Sequence, residues 1–332
     1  MVTGLLLGTF MPPHAGHRLL VDFARAWVDE LSVLCYVRDT DPIPGDLREQ
    51  WLRELFVGVD IRMITDEITL DGDEAKRINA KLSAHLRAQF PDGVDYVFGS
   101  EPVYKYIAKI VGARYVPLDH HREMIAAQGA DIRAEPISNW AYLPDCVKPH
   151  YVKRVCVYGP GAEGKTALAE QLATHYQSVA ALEYGRRDLE LHGVDYEEAD
   201  LERITRAQLA SEDALARQAN RVLICDTDPL AMSAWSQLRF NHCSDALRTL
   251  ATNRSYDLYL LVDVDVPWTG EPDNFFNDQS KSAFELFRAA LIREDRRYLR
   301  LDGDYDTRFR TACDGIDNLL GLTTGRPVRL LP

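Results

Sequence analysis

The chain is poor in features that mark a membrane, secreted or nucleic-acid-binding protein. No apolar run approaches the ~20 residues that cross a bilayer. No basic stretch precedes the first apolar run and no cleavage site follows it, so no secretory leader is read. The six cysteines (Cys35, Cys146, Cys156, Cys225, Cys243, Cys313) are scattered without a C-x-x-C pair, which argues against a zinc site. Three of them lie inside apolar runs and read as buried, reduced thiols, as expected in the cytoplasm. Basic residues are in deficit, 38 against 51 acidic, for a net charge of −13. That balance speaks against non-specific nucleic-acid binding and against an anionic membrane surface, though a local basic pocket for phosphates stays compatible with it. There is no repeat and no low-complexity tract.

What is present is ordinary globular material, 46% hydrophobic and 27% charged. At 332 residues two domains are expected rather than one core. Short apolar runs alternate with amphipathic stretches, the pattern of βαβ units on parallel sheets. In the first half, strands are predicted over 2–8, 31–38, 61–65, 95–99 and 114–118. The helices between them are predicted over 17–30, 46–57, 73–90 and 102–111. Residues 138–150 carry two prolines and no clean period, and form the candidate linker. A second series follows, with strands over 152–158, 179–183, 221–226 and 257–262 and helices over 165–176, 200–219, 279–298 and 305–319. The domain boundaries read as 1–145 and 151–325.

Two strand-to-helix loops carry chemistry. The first is Gly8-Thr9-Phe10-Met11-Pro12-Pro13-His14-Ala15-Gly16-His17, a G-x-F-x-P-x-H-x-G-H string. N–H groups at a helix start favour anions, and two imidazoles there can donate to a polyphosphate as charge builds on a leaving group. Gly16 lets backbone approach the phosphates, and the prolines stiffen the loop. The second is Gly159-Pro160-Gly161-Ala162-Glu163-Gly164-Lys165-Thr166, which fits G-x-x-x-x-G-K-[ST] between a strand and a helix. Its N–H groups would wrap a β-phosphate, Lys165 would reach the β- and γ-phosphates, and Thr166 would ligate Mg²⁺.

A companion carboxylate is expected at a later strand end, where Cys225-Asp226-Thr227-Asp228 stands; Asp226 or Asp228 could hold Mg²⁺ or orient a hydroxyl. Glu183-Tyr184-Gly185-Arg186-Arg187 follows a strand. It reads either as a base with an arginine partner or as a solvated charged turn. Arg48, Arg122, Arg133, Asp119 and Trp51 could bind phosphate, stack on a base or hold a loop. Trp51, at helical spacing from Leu47 and Leu55, reads as core. His120, His121 and His150 read as ordinary surface or core histidines.

The two loops, in this order and at this separation, resemble the bifunctional NadR family, over about residues 2–322. Weaker strings agree: Ile43-Pro44 with Arg48 and Trp51-Leu52; Phe98-Gly99-Ser100-Glu101 with Tyr104; Glu183-Tyr184-Gly185-Arg186; Asp200 with Gln208; Asp226-Thr227-Asp228. The resemblance implies an α/β chain with a Rossmann-like nucleotidyltransferase domain followed by a P-loop NTPase-type kinase domain. The implied activities are ATP-dependent phosphorylation of nicotinamide riboside to nicotinamide mononucleotide (NMN), and adenylyl transfer from ATP to NMN giving NAD and pyrophosphate. It implies ATP and Mg²⁺ as cofactors, small-molecule partners only, and room for a homo-oligomer. The implied catalytic residues are His14, His17, Arg133, Lys165, Asp226, Asp228 and Glu183. Nucleotide binding falls to Gly8, Thr9, Phe10, Gly16, Arg48, Gly159, Gly161, Glu163, Gly164, Lys165 and Thr166, and metal binding to Thr166 and Asp226.

Three departures stand out. The family's I-S-x-T-x-I-R reads Ala127-Gln128-Gly129-Ala130-Asp131-Ile132-Arg133, without its hydroxyls. The expected lid arginine is absent from Thr269-Gly270-Glu271-Pro272-Asp273-Asn274, with Arg288 or Arg293 as substitutes on the following helix. The chain opens on its first strand, leaving no room for an N-terminal helix-turn-helix. An adenylyltransferase with an impaired P-loop domain, and a nucleotide sensor without turnover, are the competing expectations.

Overall fold

The computed structural model describes residues 1–65, 75–161, 164–193, 197–265 and 280–322. The chain divides into two compact units, Met1–Val147 and Lys148–Pro332, each with its own sheet. Residues 138–150 are not a bare linker. Trp140–Tyr142 forms a 3-10 turn, and Trp140, Leu143, Cys146 and Val147 are buried, so the first unit absorbs most of the segment.

In the first unit the elements run β1 (Thr3–Gly8), α1 (Ala15–Trp27), β2 (Glu30–Val37), α2 (Gly45–Leu55), β3 (Asp60–Thr65), α3 (Ala75–Gln89), β4 (Tyr96–Gly99), α4 (Val103–Ile110), β5 (Arg114–Pro117) and α5 (Gly129–Ala134). All pairings are parallel, in the order β3-β2-β1-β4-β5. A sheet buried on both faces needs apolar residues at successive strand positions, and Leu5-Leu6-Leu7 supplies them. Leu5 and Leu7 join Tyr36, Val97, Leu82, Leu86 and Ile107 on one side; Leu6 joins Val33, Cys35, Val21, Leu52 and Phe98 on the other. Each such side chain contributes about 1.5–3 kcal/mol by leaving water. The strand order reverses between β1 and β4, and crevices for ligands form at the carboxyl ends of strands flanking such a reversal.

In the second unit the elements run α6 (Lys148–Tyr151), β6 (Lys153–Tyr158), α7 (Lys165–His175), β7 (Val179–Ala181), α8 (Tyr184–His192), α9 (Glu198–Leu215), β8 (Val222–Asp226), α10 (Pro229–Phe240), α11 (Asp245–Asn253), β9 (Leu258–Val262), α12 (Ser280–Arg293), β10 (Tyr298–Leu301) and α13 (Tyr305–Leu320). Again every strand is parallel, in the order β10-β9-β6-β8-β7. Strands β8 and β9 are buried at every position. Helix starts follow local capping rules. Asp228 caps α10 with Pro229 in its first turn, Ser244 caps α11 and Asp304 caps α13.

Two predicted segments need correction. The helix expected over 279–298 ends at Arg293: Asp295 turns the backbone left-handed (φ 50°), and Tyr298 begins edge strand β10. The residues from Tyr184 onward, for which a charged turn was one reading, open helix α8. No described helix is long and apolar enough to cross a membrane, and all six cysteines are free thiols.

Candidate functional site

Each sheet ends in a strand–loop–helix cradle at its carboxyl edge. In the first unit β1 hands over to α1 through His14, whose extended backbone (φ −148°) makes it the N-cap. The Gly16 N–H donates to His14 Nδ1 (3.2 Å), and the His14 N–H donates to His17 Nδ1 (3.3 Å). This reciprocal capping has a chemical consequence. Both Nδ1 atoms accept, so neither ring can be doubly protonated in this arrangement, and each carries its proton on Nε2 as a donor. Burial, with Arg122 nearby, lowers the His14 pKa to about 4. Burial, then His14 and Arg122, hold His17 well below the usual histidine range. The two rings lie 3.8 Å apart, and Phe10 packs on His17 at 4.7 Å.

A cavity of ≈ 490 Å³ opens beside these rings, lined by Gly8, Thr9, Gly16, Arg38, Arg122 and Arg133 among others. That is the size of a small-ligand site. Arg133, from α5, donates to the Met11 carbonyl and so anchors the loop it flanks. Gly129 is tightly confined as well: a Cβ there would sit 2.8 Å from Met11 O.

Arg48 does not face the cavity. It is fully buried, donating to Thr9 O (2.8 Å), Tyr36 O (3.1 Å) and Asp41 Oδ2 (2.8 Å). It staples the loop from below rather than contacting a ligand. Asp41 is a residue the sequence reading missed. Its carboxyl stays below the usual range because hydrogen bonds from Arg38 and Arg48 outweigh its burial. The Tyr104 hydroxyl donates to Leu7 O at 2.8 Å and ties α4 to the end of β1. Trp51 is core.

In the second unit β6 leads through Gly159–Gly164 into α7. Gly164 is the N-cap and is left-handed (φ +81°), so the backbone favours glycine, and a Cβ there would have to displace the exposed Tyr305 ring, 2.7 Å away. Lys165 folds back on the Gly161 carbonyl. The Thr166 hydroxyl donates to Asp226 Oδ2 at 2.6 Å. Asp226 is wholly buried, and its Oδ1 has no partner. A hydroxyl beside a carboxylate with one oxygen unused is a donor set suited to Mg²⁺, which takes one or two protein oxygens and completes its shell with phosphate and water. No cluster of three or more His, Cys, Asp or Glu that could hold a metal occurs among the described residues.

Asp226 and Asp228 look alike in sequence, yet the structure separates them. Asp228 Oδ1 accepts from Ala231 N (2.8 Å) and Oδ2 accepts from Tyr259 OH (2.9 Å). Both its oxygens serve the architecture, and burial raises its pKa to about 6. Thr227 between them is left-handed (φ 75°), a strained state for a β-branched residue. Glu183 is raised above the usual carboxylate range by burial and by Asp226, against the pull of Lys165 and Arg186. These four residues therefore share one electrostatic neighbourhood. Gln208, opposite on α9, accepts the Tyr184 N–H (2.9 Å) and holds the start of α8. Glu163 and the segment Thr269–Asn274 lie outside the described residues.

Comparison with known proteins extends these observations. A family profile described as an AAA domain matches residues 154–308. The trifunctional NAD biosynthesis/regulator protein NadR of Escherichia coli (strain K12) is 24% identical over 346 residues, covering 96% of this chain and 83% of that protein. Its counterpart in Salmonella typhimurium is 24% identical over 343 residues, with the same coverage. The crystal structure of a NadR protein in complex with NAD and AMP-PNP superposes with a TM-score of 0.79 at 20% identity, over 98% of each chain. A NadR protein in complex with NR gives 0.77 at 21% identity, over 98% of this chain and 97% of that one. These two structures share the fold over nearly all of the molecule. Along 96% of its length, the chain is homologous to NadR.

Proposed function

We propose that the chain is a bifunctional NAD-salvage enzyme, with a nucleotidyltransferase-type first unit, a P-loop kinase-type second unit, and one ATP-dependent reaction in each. The observation that carries the reading is the presence of two phosphate cradles of different chemistry, neutral imidazole donors in one unit and a Gly-Lys-Thr loop with a buried aspartate in the other.

In the first unit the phosphate of NMN attacks the α-phosphorus of ATP. A P–O bond forms to that phosphorus, the α–β bridging bond breaks, and pyrophosphate leaves with NAD as product. The attacking phosphate is already anionic, so no base is needed, and catalysis is positioning plus charge stabilisation. His14 and His17 donate from Nε2 to the triphosphate and the departing pyrophosphate. Arg133 adds a cation at the far side of the loop.

In the second unit the 5′-hydroxyl of nicotinamide riboside attacks the γ-phosphorus of ATP, releasing ADP. Glu183 takes the hydroxyl proton. Its raised pKa makes it a stronger base than an ordinary carboxylate, whereas both Asp228 oxygens are engaged. Lys165 meets the β- and γ-phosphates, and Thr166 and Asp226 would hold Mg²⁺, which neutralises phosphate charge when bound. AMP-PNP, NAD and NR in the complexes of homologues support nucleotide and riboside substrates here.

Selective inactivation tests the proposal. His17→Ala should abolish NAD formation from NMN and leave riboside phosphorylation intact, and Lys165→Ala should do the reverse. If either change stops both reactions in a folded chain, the two-site reading fails.

A further inference from the structure

The cavity of the first unit poses a charge problem. A triphosphate brings several negative charges, yet both histidines are neutral donors while their Nδ1 atoms accept backbone N–H groups. The loop after Ala127 carries no Ser or Thr through Arg133, and α5 is a helix of only six residues. Positive charge must come from arginine. Three arginines line the cavity. Arg38 is engaged by Asp41 (3.0 Å), and Arg133 by the Met11 carbonyl.

Arg122 is differently placed. Its Nη2 meets Glu101 Oε1 at 3.0 Å, and its Nη1 reaches Ala127 O only at 3.5 Å, the outer limit of a hydrogen bond. Glu101 lines the same cavity. The loop that presents Arg122 is tightly built. Asp119 and Arg122 are both left-handed (φ 52° and 54°), and Asp119 accepts from the N–H groups of Met124 (2.9 Å) and Ile125 (3.0 Å). Strain of this kind persists where the surroundings over-determine it, often beside a ligand.

We propose that Arg122 binds the triphosphate of ATP, and that Glu101 competes with the phosphate for it. Arg122 is thus a binding residue of the adenylyl-transfer site, held by Glu101 until an anion of higher charge displaces the carboxylate. This rests on the reading of the first unit as an ATP-binding site.

The test is a double-mutant cycle in the full chain carrying Lys165→Ala, which leaves the first unit as the ATP site to be titrated. The probe is ATP with a methylene in the α–β bridge, in calorimetry with Mg²⁺. Arg122→Ala should weaken binding ~10-fold or more, the worth of a charge-assisted hydrogen bond, and Arg122→Lys should weaken it less because it keeps the charge without the fork. Glu101→Gln should tighten binding, and should do nothing in the Arg122→Ala background. A pair that merely closes the loop would weaken binding when either member is changed. A general field effect of Glu101 would persist without Arg122. Either pattern overturns the proposal, as does unchanged affinity in Arg122→Ala. Circular dichroism and thermal melting of Arg122→Ala against the parent chain report whether the first unit stays folded. If the parent chain makes no NAD while the cycle behaves as stated, the adenylyl-transfer reading fails and the phosphate assignment stands.

Discussion

Asp226→Asn should make the second unit more stable and nearly inactive. Asp226 is buried with one oxygen on the Thr166 hydroxyl and the other without a partner, and it shares its surroundings with Glu183. A buried acceptor left unpaired costs about 1–3 kcal/mol, more when charged. Asparagine keeps an oxygen for Thr166 and removes the charge. The expected gain without ligand is about 1–2 kcal/mol, by the same scale. In a unit of this size that raises Tm by roughly 3–6 °C. The metal ligand is lost at the same time, so riboside phosphorylation should fall by ~100-fold or more, comparable to removing one preorganised group at a charge-developing centre. Calorimetry of the ligand-free protein reads the first quantity and ADP release with nicotinamide riboside reads the second. A lowered Tm with kinase activity kept would refute the reasoning, because Asp226 would then be an architectural carboxylate like Asp228.

Three further outcomes follow from the same geometry. Gly164→Ala should lower the Tm of the second unit and raise the KM for ATP in riboside phosphorylation, since a left-handed non-glycine residue alone costs about 1–2 kcal/mol and its Cβ meets Tyr305 at 2.7 Å. Arg48→Ala should destabilise the first unit by about 2–4 kcal/mol, because the buried Thr9 and Tyr36 carbonyls lose their donor and Asp41 is left with Arg38 as its only cation among the described residues; thermal melting and loss of NAD formation, with riboside phosphorylation spared, check this. His14 is held neutral in the folded state with its pKa lowered to about 4 from 6.5, so the unfolded chain binds its proton first as pH falls. Through His14 the first unit should therefore lose about 3 kcal/mol of stability between pH 6.5 and 4, and a His14→Asn chain should show a shallower slope in urea titrations, with His17 supplying what remains.

The parts of the fold most legible in the sequence were those whose backbone demands are local. Gly8 to His17 and Gly159 to Thr166 declare a strand end, a turn and a helix start within ten residues, because capping and left-handed glycine leave few alternatives. Apolar runs such as Leu5-Leu6-Leu7 declare a sheet covered on both sides. Edge strand β10 escaped notice because four residues after a long helix carry no period, and only the left-handed Asp295 separates the two. Site chemistry was less legible wherever it depends on contacts across the fold. Nothing in Asp226-Thr227-Asp228 says which aspartate keeps an unused oxygen, since the difference is made by Ala231 N and Tyr259 OH. Arg48 reads as a phosphate ligand until Asp41, Thr9 and Tyr36 are seen around it. Arg122 gains meaning only from its place in the cavity beside Glu101.

The most direct test of two active phosphate cradles in one chain is to incubate the purified protein with Mg-ATP and nicotinamide riboside and to resolve the products chromatographically. The account predicts that NAD accumulates with ADP and pyrophosphate, NMN passing through as an intermediate. Untouched riboside would contradict the kinase assignment of the second unit, and accumulation of NMN without NAD would contradict the adenylyltransferase assignment of the first.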